Sequence, residues 1–363
     1  YSFVKDNPVS RAMNDVVSAF SVFGFDKEQK ELAPFYESVK LRASGIDNAE
    51  AKQKIIVTLY DKFFRTGFKE TTEQLGIVFT PVEVVDFIIK SVDYALNKYF
   101  GKHLSSKNVH ILDPFTGTGT FMTRTLQYFK QQMDNGEITF EDILHKYNHE
   151  LHANEIVLLS YYIAAINIEA VFDEANGPDK GYQPFEGIVL TDTFESTEQQ
   201  QGTLNDDIFG TNNKRLKKQQ ETPITVIISN PPYSGRQKNE NDNNENIKYP
   251  LLDKEIERDY IEGSSATAKH AVYDSYIRAI KWATDRIKNN GVVGFITSSS
   301  YIDGRSLDGL RKRLNSEYNH IYILNLKGSI RGKVGIEEKK EGQNIFNILT
   351  GVAIIILVKD GSS

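Results

Sequence analysis

Asn230-Pro231-Pro232-Tyr233 is the group of residue types in this chain best suited to chemistry. Asn230 brings a side-chain carbonyl oxygen, Pro231 a main-chain carbonyl outside any helix, and Tyr233 a flat ring. Two acceptors beside an aromatic face can hold a planar amine, such as the exocyclic amine of a nucleobase. Gripping an amine in this way requires no histidine, metal or covalent nucleophile. A proline-rich turn that ends a strand and buries a tyrosine has the same local sequence, so the surrounding elements have to decide.

Pro223-Ile-Thr-Val-Ile-Ile-Ser229 runs into these residues. It is short and β-branched, which predicts a buried parallel strand, and the two prolines stop helix or ladder beyond it. Open α/β sheets bind ligands in the crevice past the carboxyl ends of their strands, where Asn230 and Tyr233 would project. A predicted strand at 109–113 leads into Asp113-Pro114-Phe115-Thr116-Gly117-Thr118-Gly119-Thr120-Phe121. Gly117 and Gly119 would let the backbone approach a ligand, and Asp113 suits a cation better than a phosphate. Met122 stands where the third glycine of the dinucleotide fingerprint would fall, which argues against the simplest dinucleotide reading. The next strand runs into Asn154-Glu155-Ile156, with Glu155 placed to accept from ribose hydroxyls, although a helix cap would use the same residues. A third ends at Asp192-Thr193-Phe194, where Asp192 could accept from an adenine amine.

Strands are predicted at 109–113, 150–154, 187–192, 224–229, 291–297, 319–326 and 351–358, and helices near 119–134, 155–170, 272–289 and 304–316. This alternation predicts an α/β fold, a doubly wound Rossmann-like sheet of about seven mostly parallel strands with right-handed crossovers. Residues 1–75 show apolar positions at helical spacing and almost no strand-like stretch, predicting a helical appendage to a catalytic domain over 76–363. The polar stretches 195–222 and 234–270 read as surface loops, the second placed to order over a substrate.

The 363 residues include no cysteine, which excludes disulfides, thiolate zinc sites and cysteine nucleophiles. With no membrane-length apolar run and no signal-like amino terminus, the expectation is a soluble cytoplasmic protein. The net charge of −6 does not advertise a polyanion partner. Basic clusters at Lys214–Lys218, at Arg311–Arg313 and at Lys327, Arg331 and Lys333 are local exceptions, of a kind often found on solvated faces. A chain starting at Tyr1 and ending Gly361-Ser-Ser363 reads as a piece of something longer. It contains no P-loop motif, so this piece is not expected to hydrolyse ATP.

Phe79-Thr80-Pro81, the Asp113–Phe121 turn, Asn154-Glu155, Asp192 and Asn230-Pro-Pro-Tyr233, in that order, resemble the gamma class of amino-methylating DNA methyltransferases. The resemblance covers about residues 75–358 and implies S-adenosylmethionine as cofactor. Thr80 and Pro81 would flank its methionine part, with Asp113, Pro114, Phe115, Thr116, Gly117, Gly119 and Phe121 as the lining turn. Asn154, Glu155 and Ile156 would meet the ribose side, and Asp192 and Phe194 the adenine. It further implies that Asn230 and the Pro231 carbonyl grip the N6 amine of an adenine flipped from double-stranded DNA, stacked on Tyr233 and held by Phe346. Tyr273–Trp282 is similar to the family's helix before the fifth strand. No metal and no membrane belong to this picture. Gln74–Pro81 and His149–Ile156 look especially like the methyltransferase section of single-chain nuclease–helicase–methyltransferase restriction–modification enzymes. That likeness implies a helical coupler over 1–75, a motor and nuclease on the same parent chain, and a target-recognition domain beyond 363. Protein-glutamine methylation, cytosine-N4 methylation and a non-catalytic DNA-binding module remain open alternatives.

Overall fold

The computed structural model describes residues 80–176, 181–195, 206–232, 249–262, 264, 270–328 and 350–362, together with Arg11. The predicted amino-terminal appendage, Tyr233 and Phe346 lie outside these residues.

Helix α1 (Val82–Phe100) follows Pro81, whose carbonyl accepts from Val84 and Val85, and ends at Gly101 with φ 62°. Its buried Val85, Ile88, Ile89, Val92 and Leu96 recur at helical spacing, which makes one apolar stripe for the sheet. This helix is absent from the helices predicted from sequence. β1 (Ile111–Asp113), α2 (Thr120–Asp134), α3 (Phe140–His145), β2 (Leu151–Glu155), α4 (Leu158–Asn176) and β3 (Ile188–Leu190) form the first winding. α5 (Asp206–Glu221), β4 (Val226–Ser229), α6 (Pro250–Ile256), α7 (Ser275–Ile287), β5 (Gly291–Ser298), α8 (Ser300–Asp303), α9 (Asp308–Glu317), β6 (His320–Lys327) and β7 (Val352–Lys359) complete the described elements. All seven predicted strands are present.

The strands form one sheet in the order β3-β2-β1-β4-β5-β7-β6. β1 to β5 are parallel and β7 runs antiparallel to both of its neighbours, so the sheet is mixed. Alternate residues feed two cores. Val226, Ile228, Val292, Ile296, Ile354 and Ile356 face α1, α2 and α4, whereas Ile227, Val293, Phe295, Ile355 and Leu357 face α6, α7 and α9. Burial on both faces explains why these strands read as continuous apolar runs rather than alternating ones. Chain order runs outward through β1, β2 and β3 on one side and β4 and β5 on the other. The crevice between the carboxyl ends of β1 and β4 is therefore the topological switch point, the expected ligand site.

Both stretches read as polar loops contain helix. Within 195–222, α5 buries Asn212, Asn213, Leu216 and Gln219, so its inner face is mostly amide and is invisible to an apolar-periodicity reading. Asn212 accepts from the Leu190 N–H and donates to the Leu190 carbonyl, both at 2.9 Å, closing the backbone of edge strand β3. Arg215 donates to the carbonyls of Glu186 and Ile188, which turns part of the first basic cluster to structural use. Within 234–270, α6 and the π-helical turn Glu257–Ile261 bury Leu252, Ile256 and Tyr260 at fourfold spacing, a pattern masked in sequence by the asparagine run before it. Arg311 and Arg313 are likewise structural, binding the Tyr301 and Gly304 carbonyls and the Glu317 carboxylate. Among the described residues, no helix is long and apolar enough to cross a membrane.

Candidate active site

Residues from the ends of β1 and β4 meet at the switch point. Ser229, the last residue of β4, donates its hydroxyl to Asp113 Oδ1 at 2.5 Å, and both residues are fully buried. The next residue, Asn230, donates Nδ2 to Thr80 Oγ1 at 2.8 Å. The candidate catalytic turn is thus bonded through consecutive side chains to the acid of the glycine-rich turn and to the segment entering α1. Pro231 is buried and Pro232 half-buried.

The glycine-rich turn is braced by its neighbours. The Phe115 N–H donates to Asp113 Oδ1 at 3.2 Å, whereas Asp113 Oδ2 has no hydrogen-bond partner among the described residues. Thr116 donates its hydroxyl to the Asp113 carbonyl and its N–H to the Asn154 carbonyl, both at 3.0 Å. Glu155 accepts from the N–H groups of Gly117 at 2.7 Å and Val157 at 2.8 Å. The two glycines serve different needs. Gly117 (φ 56°) faces open space, where nothing lies within 4 Å of a would-be Cβ, and Gly119 (φ 87°) packs so that a Cβ would sit 3.2 Å from the Ala164 backbone. Burial pushes the Asp113 carboxyl up to about 7. Burial does the same to Glu155, with the nearby Asp113 charge adding to it.

At the end of β3, Asp192 Oδ1 accepts from the Phe194 and Glu195 N–H groups, and Tyr249 donates its hydroxyl to Oδ2 at 2.8 Å. The Phe194 ring lies 5.3 Å from Phe115 and 5.2 Å, edge-on, from Tyr249. Thr193 donates to the Pro114 carbonyl at 2.6 Å and takes a hydrogen bond from Asn154 Nδ2 at 3.3 Å. The structure therefore brings Thr80, Asp113, Pro114, Phe115, Thr116, Gly117, Asn154, Glu155, Asp192, Phe194 and Asn230 into one bonded network. Pro81 caps α1 beside it. Ile156 presents a half-exposed apolar side chain next to Glu155. Phe121 is buried in the first core cluster at the start of α2. Sequence reasoning missed Ser229, Thr193 and Tyr249. Nothing but adjacency flags Ser229, and Tyr249 lies 57 residues from Asp192 with no local pattern joining them. Among the described residues, no group of three or more histidines, aspartates or glutamates is arranged to hold a metal ion.

Residues 147–330, just over half of the chain, match the Eco57I restriction-modification methylases. The chain belongs to that family. Residues 1–51 match the coupler domain of Type ISP restriction-modification enzymes. Among solved structures, the chain is similar over its whole length to the ATP-dependent Type ISP restriction-modification enzyme LlaBIII bound to DNA, with 62% identity and a TM-score of 0.93. It is equally similar to a nuclease-deletion mutant of the Type ISP enzyme LlaGI in complex with a DNA substrate mimic, at 62% identity and a TM-score of 0.92. The DrdV–DNA complex matches 99% of the chain at 37% identity, with a TM-score of 0.88. The chain covers 24%, 29% and 34% of these three chains, so it spans about a quarter to a third of their length.

Proposed function

We propose that this chain transfers a methyl group from S-adenosylmethionine to the N6 amine of an adenine turned out of double-stranded DNA, as the modification part of a restriction–modification enzyme. The observation that carries the proposal is the pair of bonds Ser229–Asp113 and Asn230–Thr80. They tie the turn proposed to grip the amine to the acid of the glycine-rich turn and to the segment entering α1, at the sheet's switch point.

The residues present fit the cofactor. Asp113 is a fully buried carboxyl with one oxygen left without a partner among the described residues, and a cationic ligand would offset its desolvation. Gly117 leaves room for a ligand, Glu155 has lone pairs beyond its backbone bonds for ribose hydroxyls, and Asp192 beside Phe194 can meet an adenine edge and face. When bound, the cofactor supplies an electrophilic methyl on a sulfonium. The chain's own residues prepare the amine: Asn230 Oδ1 and the Pro231 carbonyl each accept one of its N–H bonds. That favours a pyramidal nitrogen with its lone pair directed at the methyl. The amine nitrogen would take the methyl as the S–C bond is given up, leaving S-adenosylhomocysteine, while Asn230 and the Pro231 carbonyl hold the amine and its proton passes to water. Tyr233 and Phe346 would stack on the flipped base, recovering part of the few kcal/mol that flipping costs. Nuclease, helicase and target-recognition functions would lie elsewhere on the same parent chain, with residues 1–75 as the coupler between motor and methylase.

The test is tritium transfer from labelled S-adenosylmethionine to DNA, to protein or to no acceptor, followed by digestion of the labelled DNA to nucleosides. Label in N6-methyladenosine is expected. Label in cytosine or in protein glutamine would replace the assignment with one of its rivals. Asn230→Ala should lower turnover at least about 100-fold, with cofactor affinity changed less than about twofold.

A further inference from the structure

We propose that Thr80 is a positioning residue for the methyl-transfer step: its hydroxyl holds the Asn230 amide by the nitrogen end, so that the oxygen end is presented to the target amine. The inference rests on the function proposed above and adds a residue whose role there is not cofactor contact alone.

A primary amide has two ends of nearly equal size and opposite hydrogen-bonding character. A target amine donates, so only the carbonyl end of Asn230 can grip it. The reversed amide would set donor against donor and lose the bond. Something must therefore hold the nitrogen end, and Asn230 Nδ2 donates to Thr80 Oγ1 at 2.8 Å. A hydroxyl accepting this bond carries its own proton away from the amide. Both partners stand on fixed supports. Thr80 precedes Pro81, which restricts its backbone, and the Pro81 carbonyl accepts the Val84 and Val85 N–H groups in the first turn of α1 at 3.1 and 3.2 Å. α1 is in turn fastened to the sheet by Val85, Ile88, Ile89 and Val92, all essentially unexposed. Asn230 follows β4 directly, and Ser229 ties that strand end to Asp113. The β-branched side chain of Thr80 limits χ1 and so fixes where the hydroxyl stands, while a serine would keep the hydroxyl with more freedom.

Thr80→Val keeps the shape and removes the acceptor, and Thr80→Ser keeps the acceptor. In the full-length protein, T80V should lower kcat about five- to tenfold at saturating cofactor and DNA, as loss of one neutral hydrogen bond predicts. Its Kd for S-adenosylhomocysteine, measured by calorimetry, should stay within about twofold of wild type, and T80S should recover most of the turnover. Two results would overturn the proposal: T80V turning over like wild type, or T80V losing affinity for S-adenosylhomocysteine while kcat at saturation is unchanged, which would make Thr80 a cofactor contact only. Full turnover by Asn230→Ala in the same assay would instead remove the proposed function on which this role depends.

Discussion

Asp113 and Glu155 close two adjacent parallel strands, β1 and β2, and both carboxyls are pushed up to about 7, chiefly by burial. Their hydrogen bonds from Ser229, Phe115, Gly117 and Val157 pull the other way without cancelling the desolvation. In the ligand-free protein below neutral pH these groups therefore hold protons. On the proposed function, the cationic part of S-adenosylmethionine beside Asp113 would favour its ionised form, so binding the cofactor would release a proton. Affinity should rise between pH 6 and pH 8 and level off above, by up to about tenfold per pH unit for each proton released. Calorimetric Kd values across that range check this, and a flat profile would refute it. Asp113 is legible in sequence as an acid at a strand end. Its proton affinity is not, because that depends on the Ser229 hydroxyl 116 residues away and on complete burial.

Edge strand β3 poses a problem at the level of elements. Its three residues are buried, yet among the described residues one side of its backbone has no neighbouring strand. Helix α5 supplies the missing partners through Asn212, which pairs with both backbone groups of Leu190, and Arg215, which takes two carbonyls. Replacing Asn212 by the nearly isosteric leucine should leave both Leu190 groups buried and unpaired, at a cost of about 2–4 kcal/mol. Chemical denaturation measures this directly, and a loss under about 0.5 kcal/mol would show that α5 does not hold the strand. Because Asp192 follows β3, the variant should also weaken cofactor binding. The same arrangement explains a misreading from sequence. α5 buries three amides and a single leucine, Leu216, where an ordinary helix buries an apolar stripe, so 195–222 looks like loop until the strand it serves is in place.

Across the whole molecule the buried titratable groups oppose one another. His152 stacks on His110, with Nε2 3.0 Å from His110 Nδ1, and burial lowers its value to about 3. Its unfolded value is 6.5, so the unfolded chain binds the extra proton and stability is lost as pH falls from about 6.5 towards 3. Asp113 and Glu155 act in reverse: from unfolded values of 3.8 and 4.5 they are raised to about 7, so the folded state holds protons that the unfolded chain has released, and stability is lost as pH rises from about 4 to 7. With the opposing imidazole removed, the His152→Gln protein should gain more in Tm at pH 5 relative to pH 6.5 than the unsubstituted chain does. Cofactor should raise Tm more at pH 8 than at pH 6, since it stabilises the ionised carboxylates. Equal cofactor shifts at the two pH values would contradict the assignment.

The sequence by itself determined the strands, the acids at their ends, the glycine-rich turn and the placement of Asn230-Pro-Pro-Tyr233, because each is a local pattern of residue type and spacing. The α/β class with a mostly parallel sheet also followed, since βαβ connections admit few alternatives, whereas the strand order, with β7 antiparallel between β5 and β6, came from the tertiary structure. Only the tertiary structure decided that Ser229 meets Asp113, that Asn230 is bonded to Thr80, that Tyr249 reaches Asp192, and that a polar stretch folds as a helix to complete β3. These are contacts between residues 22 to 150 apart along the chain. Hydrogen bonding across such separations depends on where packing sets each backbone, and no local propensity encodes that.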